Sequence, residues 1–444
     1  MILTFSPPYA DGGRAVWATT AGIFEVLKID HQTGELIDEI RPSTPDGSAA
    51  TGSQGPTSGV YSMLDRAGRL IVGRGSAIEI YGDSIPGDRR SPIAQLHRFQ
   101  LPAAVLCRPN DRLVGIGMLW DGTVAFATQL GMVGTVPRVP GRMDEAHLRV
   151  ASLNGADCAN PELEDADLET VSNSIAVDER GGIYVVTSEA QHKLRWDGRR
   201  LERGWRTPYE TGGGEAGARV GAGSGATPSL LGTGPKQDRF VSITDGRDLM
   251  HLVLIWRNRI PEDWRPIAPG KPRRIACEVP VTFGDPEATA SVSEQSVLVR
   301  GYANVVVNNA LTIDQAVGAV PPTVRPVAGG LAGQVPGNAP QGLERIDWNP
   351  RTRTCSSRWA NREVSIPNGI PAMSTRTGLV YGIGQRGGTW GLEALDFASG
   401  ESRFFEQLTP APTENTFFAA ATIGPDGDLY SGTFGGVTIL RGAG

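Results

Sequence analysis

The sequence lacks several features that identify common functional classes. It holds no uninterrupted apolar run of about 18 residues, the length that a membrane-spanning helix needs, so no membrane span is expected. Its 42 Lys and Arg residues stand against 48 Asp and Glu residues, with a net charge of −6 and no long run of one sign. A nucleic-acid partner is therefore not expected. Only five histidines occur, without a His-x-His pair, which disfavours a multi-copper or multi-zinc centre.

Motifs for nucleotide and serine chemistry are also missing. The Gly-rich stretch at 212–225 lacks the Gly-Lys-Ser/Thr ending and the following helix of a phosphate loop. No Gly-x-Ser-x-Gly motif occurs, so the usual nucleophile of an α/β-hydrolase is absent. We therefore expect no nucleotide cofactor.

Cysteine is scarce, and none of the four residues lies in a Cys-x-x-Cys pair, which disfavours a zinc ribbon or a thioredoxin-type site. Two interpretations stay open: four separate buried thiols, or two disulfides, Cys107 with Cys158 and Cys277 with Cys355. Disulfides would favour a periplasmic or secreted protein, although residues 1–13 show no signal peptide. We expect export, with a cytoplasmic location as the alternative.

What the sequence does hold is a repeated hairpin. Its clearest copy runs from the apolar residues 174–177 through the turn Asp178-Glu179-Arg180-Gly181-Gly182 into the β-rich run 183–187. Asp and Gly at these positions supply the backbone angles that a tight turn needs. A second turn type, seen at 30–35 and 396–401, is expected to join the third and fourth strands of a unit. Similar hairpins occur at 64–72, 120–127, 375–381 and 424–430, with less regular copies at 15–19, 239–243 and 303–307.

These repeats predict an all-β fold, a single β-propeller over 1–444 with about eight four-stranded blades. Seven blades is the second interpretation, and a two-domain sandwich is the competing one. Long loops are expected at about 209–225 and 312–342. The last repeat ends at 437–440 without an outer strand, and residues 2–5 are expected to supply it.

Polar residues precede the first strand of most repeats. In a propeller these lead-in positions surround one mouth of the central channel, where amide and carboxylate oxygens suit a hard cation such as Ca²⁺. Asn173, Glu294 and Asn368 are the candidate metal ligands, and Asn415, Thr227 and Asn308 are candidate substrate contacts. Asn and Ser also cap turns, which is the alternative interpretation. The lead-in residues are Ser58, Asn110, Asn173, Thr227, Glu294, Asn368 and Asn415.

A second set of polar residues follows the second strands. Asp245 and Glu189 are the candidate general bases, and His251, six residues after Asp245, is a candidate acid or base. His192, three residues after Glu189, is a weaker candidate. In the alternative interpretation, Asp245-Gly246 is one more hairpin turn.

Two resemblances add to this interpretation. The segment 173–187 resembles blades of the gluconolactonase group and of quinoprotein-like propellers. The stretches 223–228 with 243–245, and 365–369 with 377–381, are similar to a group of bacterial propeller proteins, many exported and without an assigned activity. The gluconolactonase resemblance implies a divalent cation held by one Glu, two Asn and one Asp, types present at Glu294, Asn173, Asn368 and Asp245 in an order that departs from the family's.

The functional expectation follows from both arguments. We expect a hydrolase, such as a lactonase, or a lyase that acts on a small organic or carbohydrate-derived substrate, with a divalent cation of the Ca²⁺ type. A quinone cofactor is not expected, because the adjacent-cysteine disulfide and the Trp-rich blade motifs of quinoprotein dehydrogenases are missing. The alternative is a non-catalytic propeller that binds a partner through its rim loops. Oligomeric state is left open.

Overall fold

The fold is built from β-strands. The computed structural model describes residues 2–20, 24–42, 60–212, 222–234, 236–309, 338–416 and 418–442. These ranges hold 31 strands, and their helices are short 3₁₀ turns, so the all-β expectation is confirmed. No helix in these ranges has the length and apolar character needed to cross a membrane. The 3₁₀ turns span Ala103–Val105, Pro140–Arg142, Gly155–Ala159, Asp165–Asp167 and Pro412–Glu414.

The chain forms two compact units, Met1–Thr187 with His192–Trp205, and Ser188–Gln191 with Arg206–Gly444. The first unit holds three sheets and most of a fourth, each with strands paired antiparallel in chain order. Its strands are β1 (Ile2–Phe5), β2 (Ala15–Thr19), β3 (Val26–Asp30), β4 (Leu36–Ile40), β5 (Ser62–Leu64), β6 (Leu70–Arg74), β7 (Ala77–Asp83), β8 (Ile93–Gln100), β9 (Leu113–Met118), β10 (Thr123–Thr128), β11 (Met132–Pro137), β12 (Arg149–Ser152), β13 (Ala176–Val177), β14 (Gly182–Val186), β15 (Ala190–Trp196) and β16 (Leu201–Pro208).

The second unit continues the same pattern with three four-stranded sheets and one sheet of three described strands. Its strands are β17 (Ser229–Leu231), β18 (Phe240–Thr244), β19 (His251–Trp256), β20 (Ile275–Pro280), β21 (Leu298–Arg300), β22 (Ala303–Val307), β23 (Leu343–Asn349), β24 (Thr354–Asn361), β25 (Ala372–Ser374), β26 (Leu379–Arg386), β27 (Thr389–Asp396), β28 (Ser402–Thr409), β29 (Ala421–Ile423), β30 (Leu429–Thr433) and β31 (Gly436–Leu440).

Consecutive antiparallel meanders of this kind are the blades of a β-propeller, and the described residues contain eight of them. The predicted blade count of about eight is confirmed. The predicted loop at 209–225 falls partly, and the loop at 312–342 mostly, outside the described residues. Assignment of the whole chain to one domain stays a prediction.

Turn chemistry explains why these sequences form hairpins. Between β13 and β14, Asp178 Oδ1 accepts hydrogen bonds from the backbone N–H groups of Arg180 (2.9 Å) and Gly182 (2.8 Å). Gly181 has a φ of +80°, which few residues other than glycine adopt without strain. In the outer turn, Asp30 Oδ1 likewise accepts from the backbone of Gln32 and Thr33. The predicted turns therefore lie where the sequence placed them.

The strands of each blade differ in how deeply they are buried. The second strands, such as β2, β10, β18 and β30, are buried at every position. They hold mainly apolar and small residues because both of their faces pack against other parts of the fold. The fourth strands, such as β4 and β28, are largely exposed and rich in charged residues. The core of each unit therefore lies between neighbouring sheets.

The expected role of residues 2–5 is wrong. Ile2–Phe5 does not complete the last blade; it pairs with β2, with Ile2 opposite Thr19 and Phe5 opposite Val16. The backbone N–H of Ser6 donates to the carbonyl of Ala15, so the chain returns directly into β2 and closes a local hairpin. The short connection favours this pairing because it costs little loop entropy.

Both candidate disulfides are formed, one in each unit. Cys107 is bonded to Cys158, and Cys277 in β20 is bonded to Cys355 in β24. No free cysteine is left among the described residues, so the interpretation as four separate thiols is excluded. Disulfides persist mainly in oxidising compartments.

Candidate functional site

Topology gathers most of the candidate residues at one end of the sheets of the second unit. In an antiparallel meander, the first strand begins and the second strand ends at the same edge of the sheet. Residues before β17, β21, β25 and β29 therefore share an end with residues that follow β18 and β22. We call this edge the lead-in end. It holds Thr227, Glu294, Asn368, Asn415, Asp245 and Asn308.

Asp245 is the most strongly constrained of these residues. It follows β18 directly and is only 1% exposed. Its Oδ1 accepts hydrogen bonds from the backbone N–H of His251 (2.8 Å) and of Arg247 (3.3 Å). Its Oδ2 lies 3.4 Å from Arg247 Nε and 3.6 Å from His251 Nδ1. The loop between β18 and β19 thus wraps around one buried carboxylate.

Burial decides the electrostatics of this carboxylate. It raises the pKa of Asp245 to about 6, and the hydrogen bonds and the positive charge of Arg247 offset only part of this effect. Burial and the same Arg247 charge lower the pKa of His251. Asp245 therefore changes protonation near neutral pH, where its ordinary value would leave it fully ionised.

A network of opposite charges surrounds the pair. Arg247 NH2 lies 3.1 Å from Glu278 Oε2, and Lys271 Nζ lies 2.8 Å from both Glu278 and Glu210. Burial would lower the pKa of Lys271, but these hydrogen bonds raise it. The six side chains form what we call the Asp245 cluster. Its members are Asp245, Arg247, His251, Glu210, Lys271 and Glu278.

Glu294 is held beside this loop by backbone contacts. Met250 N–H donates to Ser291 Oγ (3.1 Å), and Leu249 forms an isolated bridge with Ser291, three residues before Glu294. The Glu294 side chain, 8% exposed, lies against Gly225, where an added Cβ would overlap the carboxylate. The segment before β21 therefore brings a second buried carboxylate to the lead-in end.

Asn309 links Glu294 to the next blade. Its Oδ1 accepts from the backbone N–H of Glu294 (2.8 Å), and its Nδ2 donates to the carbonyl of Pro367 (2.9 Å). Pro367 precedes Asn368, which is 3% exposed and whose carbonyl accepts from Thr416 Oγ1 (2.9 Å). Asn309 thus fixes two predicted ligand positions at once.

The three candidate substrate contacts lie at the same end. Thr227 is half-buried just before β17. Asn308 follows β22, and its Nδ2 donates to the carbonyl of Gln341 (2.8 Å). Asn415 is buried, and its carbonyl accepts from Phe434 N–H (2.9 Å). Their roles as substrate contacts stay predictions.

Glu189 differs from Asp245 in its environment. Its side chain is 56% exposed and forms an ion pair with Arg206 at 3.0 Å. His192, in the first unit, contacts a different residue, because its Nε2 lies 2.6 Å from Glu169 Oε2, which also accepts from Thr187 Oγ1 (2.7 Å). His192 therefore contacts Glu169, although Glu189 is much closer to it in sequence.

The other lead-in residues belong to the first unit. Asn173 Oδ1 accepts a hydrogen bond from the hydroxyl of Tyr61 (3.3 Å), and Asn110 Nδ2 donates to Asp165 (2.8 Å). Ser58 lies outside the described residues. Asn173 and the pair Glu294 and Asn368 thus occupy different units.

The donor chemistry of the second unit suits a hard cation. Glu294 offers a carboxylate and Asn368 an amide oxygen, the ligand types that Ca²⁺ accepts. Gly225 leaves space for the carboxylate that a side chain would fill. In the described part of the chain, no group of three or more His, Cys, Asp or Glu side chains could hold a metal ion. A cation here would therefore depend mainly on amide and backbone oxygens.

Sequence reasoning missed the partners that define these sites. Arg247 lies only two residues from Asp245, and a search for charged neighbours of the candidate base would have found it. Glu278 and Lys271 lie on or near β20, and only strand pairing brings them close. Glu169 is 23 residues from His192, with no motif to connect them.

Solved structures with this fold are distant in sequence. A europium-containing methanol dehydrogenase is 11% identical, with a TM-score of 0.52 and coverage of 94% of this chain and 81% of that chain. A quinohemoprotein alcohol dehydrogenase from Pseudomonas putida HK5 is 12% identical, with a TM-score of 0.51 and coverage of 98% and 69%. Both similarities confirm the β-propeller fold. A periplasmic gluconolactonase from Pseudomonas aeruginosa is 13% identical, with a TM-score of 0.48 and coverage of 89% and 96%.

One relative is much more similar in sequence. No family model matches the chain. An uncharacterized protein from Archaeoglobus fulgidus is 45% identical over 442 residues, which cover 99% of this chain and 80% of that protein. A relative without an assigned activity agrees with the resemblance found in the sequence. The chain belongs to the same protein family as this uncharacterized archaeal protein.

Proposed function

We propose that the chain is an enzyme of the hydrolase type, which uses the lead-in end of the second unit to act on a small organic or carbohydrate-derived lactone or ester. The observation that carries the proposal is the pKa of Asp245, raised by burial to about 6 within a loop that also supplies Arg247 and His251. Perturbed titratable groups of this kind concentrate at catalytic sites. A hairpin turn alone would not require a buried carboxylate with a cationic and an imidazole neighbour.

In this scheme Asp245 is the general base. Its carboxylate takes a proton from water as the water attacks the carbonyl carbon of the substrate. The ester or lactone C–O bond then breaks, and the departing alkoxide oxygen takes up that proton. A base with a pKa near the working pH is well suited to this transfer. The pKa of His251 is lowered, so its imidazole is largely neutral at pH 7 and can accept or pass on a proton. Arg247 holds the Asp245 carboxylate through its Nε. Thr227, Asn308 and Asn415 would contact polar groups of the substrate.

A divalent cation is part of the proposal. Glu294 and Asn368 would hold it, with Asn309 bonded to the backbone of Glu294 and of Pro367. The role of Asn173 as a ligand stays a prediction. Such an ion supplies Lewis-acid polarisation of a substrate oxygen. An ion that binds the folded chain raises its melting temperature by mass action. A thermal shift series with EDTA, then Ca²⁺, Mg²⁺, Mn²⁺ and Zn²⁺, tests this part, and a flat response to all four ions would contradict it.

The catalytic part is tested with Asp245→Asn and a panel of small lactones and esters. Loss of the base should lower the rate about 100-fold or more, while the variant stays folded, with a melting temperature at pH 7 no lower than that of the wild type. The rate of the wild type should rise with pH through about 6 as Asp245 loses its proton. Asp285→Asn, at an exposed position in the same unit, is the matched control and should keep full activity.

Two outcomes would contradict the proposal. Full activity of Asp245→Asn would remove this carboxylate from the chemistry. An absence of turnover by the wild-type chain over the whole panel would remove the hydrolase function and favour a binding propeller.

We also propose that the protein is exported from the cytoplasm. Both disulfides are formed, and such bonds are stable mainly in the periplasm or outside the cell. Fractionation of cells that express the full-length gene, followed by thiol labelling of the recovered protein, tests it. Recovery of a fully reduced protein from the cytoplasm would contradict it.

A further inference from the structure

A second candidate site lies in the first unit, at the opposite end of the sheets from their lead-in residues. A cavity of about 520 Å³ opens where the turn at Asp121-Gly122, between β9 and β10, faces the turn at 198–199, between β15 and β16. Ligand cavities commonly occupy about 300 to 1,000 Å³, so this volume suits a small molecule. Proposed chemistry at the lead-in end of the second unit does not involve this cavity.

Arginine dominates the lining. Four arginines and His147 line this cavity, whereas Asp121 is its single acidic residue. This excess of positive charge occurs in a chain with a net charge of −6. We call it the arginine cavity. Its arginines are Arg138, Arg142, Arg149 and Arg199.

The arginines are poorly neutralised by the protein. Among the residues that the structure describes, Arg142 and Arg199 have no carboxylate partner for their side chains. Arg149 NH1 donates only to the carbonyls of Ala146 (2.9 Å) and Leu148 (2.7 Å). Positive charges gathered in this way repel one another, and an anion in the cavity would relieve that repulsion.

The acidic groups nearby are already engaged. Asp121 Oδ2 accepts from Trp196 Nε1 (2.8 Å), and although burial opposes it, this hydrogen bond and those from Thr123 lower the pKa of Asp121. Arg138 lies 3.4 Å from Asp65, whose carboxylate is closer to Arg69, at 2.5 Å. The cavity therefore keeps a positive surplus that the protein itself does not balance.

We propose that the arginine cavity binds a small phosphorylated molecule. A phosphoryl group carries about two negative charges and three acceptor oxygens at neutral pH, which suits a cavity lined by four arginines. The apolar wall, formed by Pro137, Val139 and Trp196, would contact the organic part of the ligand. A cavity of this volume accommodates a small ligand.

The test is calorimetric titration of the full chain with inorganic phosphate, pyrophosphate and citrate at constant ionic strength. We expect saturable binding of phosphate and pyrophosphate at one site per chain, with pyrophosphate the tighter of the two. Arg142→Ser and Arg199→Ser should each weaken pyrophosphate binding about tenfold, equivalent to about 1.4 kcal/mol. Arg351→Ser is the matched control, because Arg351 is an exposed arginine in the second unit, and it should leave binding unchanged.

Both variant positions are exposed, so folding is not expected to depend on them, and thermal melts of each variant check this. No saturable heat with phosphate or pyrophosphate would overturn the proposal. Equal binding by the wild type, Arg142→Ser and Arg199→Ser would also overturn it. Citrate binding tighter than pyrophosphate would overturn the assignment to a phosphoryl group and point to a polycarboxylate.

Discussion

The Asp245 cluster and the arginine cavity use charge in opposite ways. In the Asp245 cluster three carboxylates lie among one arginine, one lysine and one histidine, with each cation within 4 Å of at least one carboxylate. In the arginine cavity four guanidinium groups share the lining with one carboxylate that is bonded to Trp196. Both cations of the first arrangement, Arg247 and Lys271, are paired inside the protein, whereas Arg142 and Arg199 of the second are not.

This difference indicates two kinds of chemistry. A network of paired charges around a buried carboxylate fixes its members in place, and burial shifts the pKa of that carboxylate, which suits proton transfer. A group of cations without carboxylate partners can be neutralised by a negative charge from outside the chain, so it suits the binding of an anion. Each unit of the molecule therefore offers a separate site, and the predictions below test whether the two behave independently.

The largest expected effect comes from the disulfides, one in each unit. Replacement of Cys107 and Cys158 by Ser, or of Cys277 and Cys355 by Ser, should cost about 4 kcal/mol each in the chain-entropy account. The bridged segments span 51 and 78 residues, so the second pair should cost about 0.4 kcal/mol more. Denaturant unfolding of the two double variants measures both values.

The two double variants also separate the sites. Loss of the Cys107 and Cys158 bond should weaken phosphate binding before activity as temperature rises, and loss of the Cys277 and Cys355 bond should do the reverse. Identical loss of both functions in both variants would show that the units unfold together.

A second prediction concerns the pH dependence of stability at Asp245. Its pKa in the folded chain is about 6, above the ordinary value of 3.8, so the folded state holds the proton more tightly than the unfolded state. The stabilisation from this group is fully present below pH 3.8 and is lost as pH rises through 6. Integrated over that window, the loss is about 3 kcal/mol.

Asp245→Asn should remove this loss. Relative to the wild type, the variant should gain about 3 kcal/mol in free energy of unfolding between about pH 4 and pH 7. Arg247, Glu278 and His251 face Asp245 and are present in both proteins, so the difference isolates the carboxylate. Asp285→Asn should show a constant difference over the same range. A flat difference for Asp245→Asn as well would contradict the raised pKa.

The sequence predicted the fold because its signals are local. Asp178 and Gly181 lie three residues apart and form one turn by themselves, and the hairpin at Asp65 and Gly68 repeats this chemistry. Such turns also predicted the number of blades. The position of Ile2–Phe5 was missed because pairing with β2 and pairing with the last blade satisfy the same pattern, and only the short connection through Ser6 favours the first.

The candidate sites were less predictable because their contacts are distant in sequence. Asp245 could be proposed from its place after a strand, but its pKa depends on burial and on Glu278, 33 positions further along the chain. The arginine cavity gave no signal at all, since Arg138 and Arg199 are separated by the four strands β12 to β15 and form no charged run. Strand pairing brings these distant residues together, and the amino-acid composition does not show which residues will be neighbours.

The smallest expected effect comes from substitution of two glycines. One lies beside Glu294 in the second unit and the other beside Arg142 of the arginine cavity. Gly225 lies against the Glu294 carboxylate, so Gly225→Ala would force that buried group to move, at a cost of about 1 to 2 kcal/mol. Gly141 lies in the 3₁₀ turn that carries Arg142 and has no heavy atom within 4 Å of an added Cβ. Gly141→Ala should therefore change the free energy of unfolding by less than about 0.5 kcal/mol.

Neither glycine has a positive φ, so the difference between the two variants depends mainly on the space available for the added Cβ. Unfolding measured with and without the stabilising cation sharpens the comparison. If Glu294 holds an ion, Gly225→Ala should also lose the rise in melting temperature that the ion produces, whereas Gly141→Ala should keep it. A Gly225→Ala variant as stable as Gly141→Ala would show that the Glu294 carboxylate moves freely. A carboxylate that moves freely would not be positioned to act as a metal ligand. The chemistry proposed for the second unit would then depend on the Asp245 cluster alone.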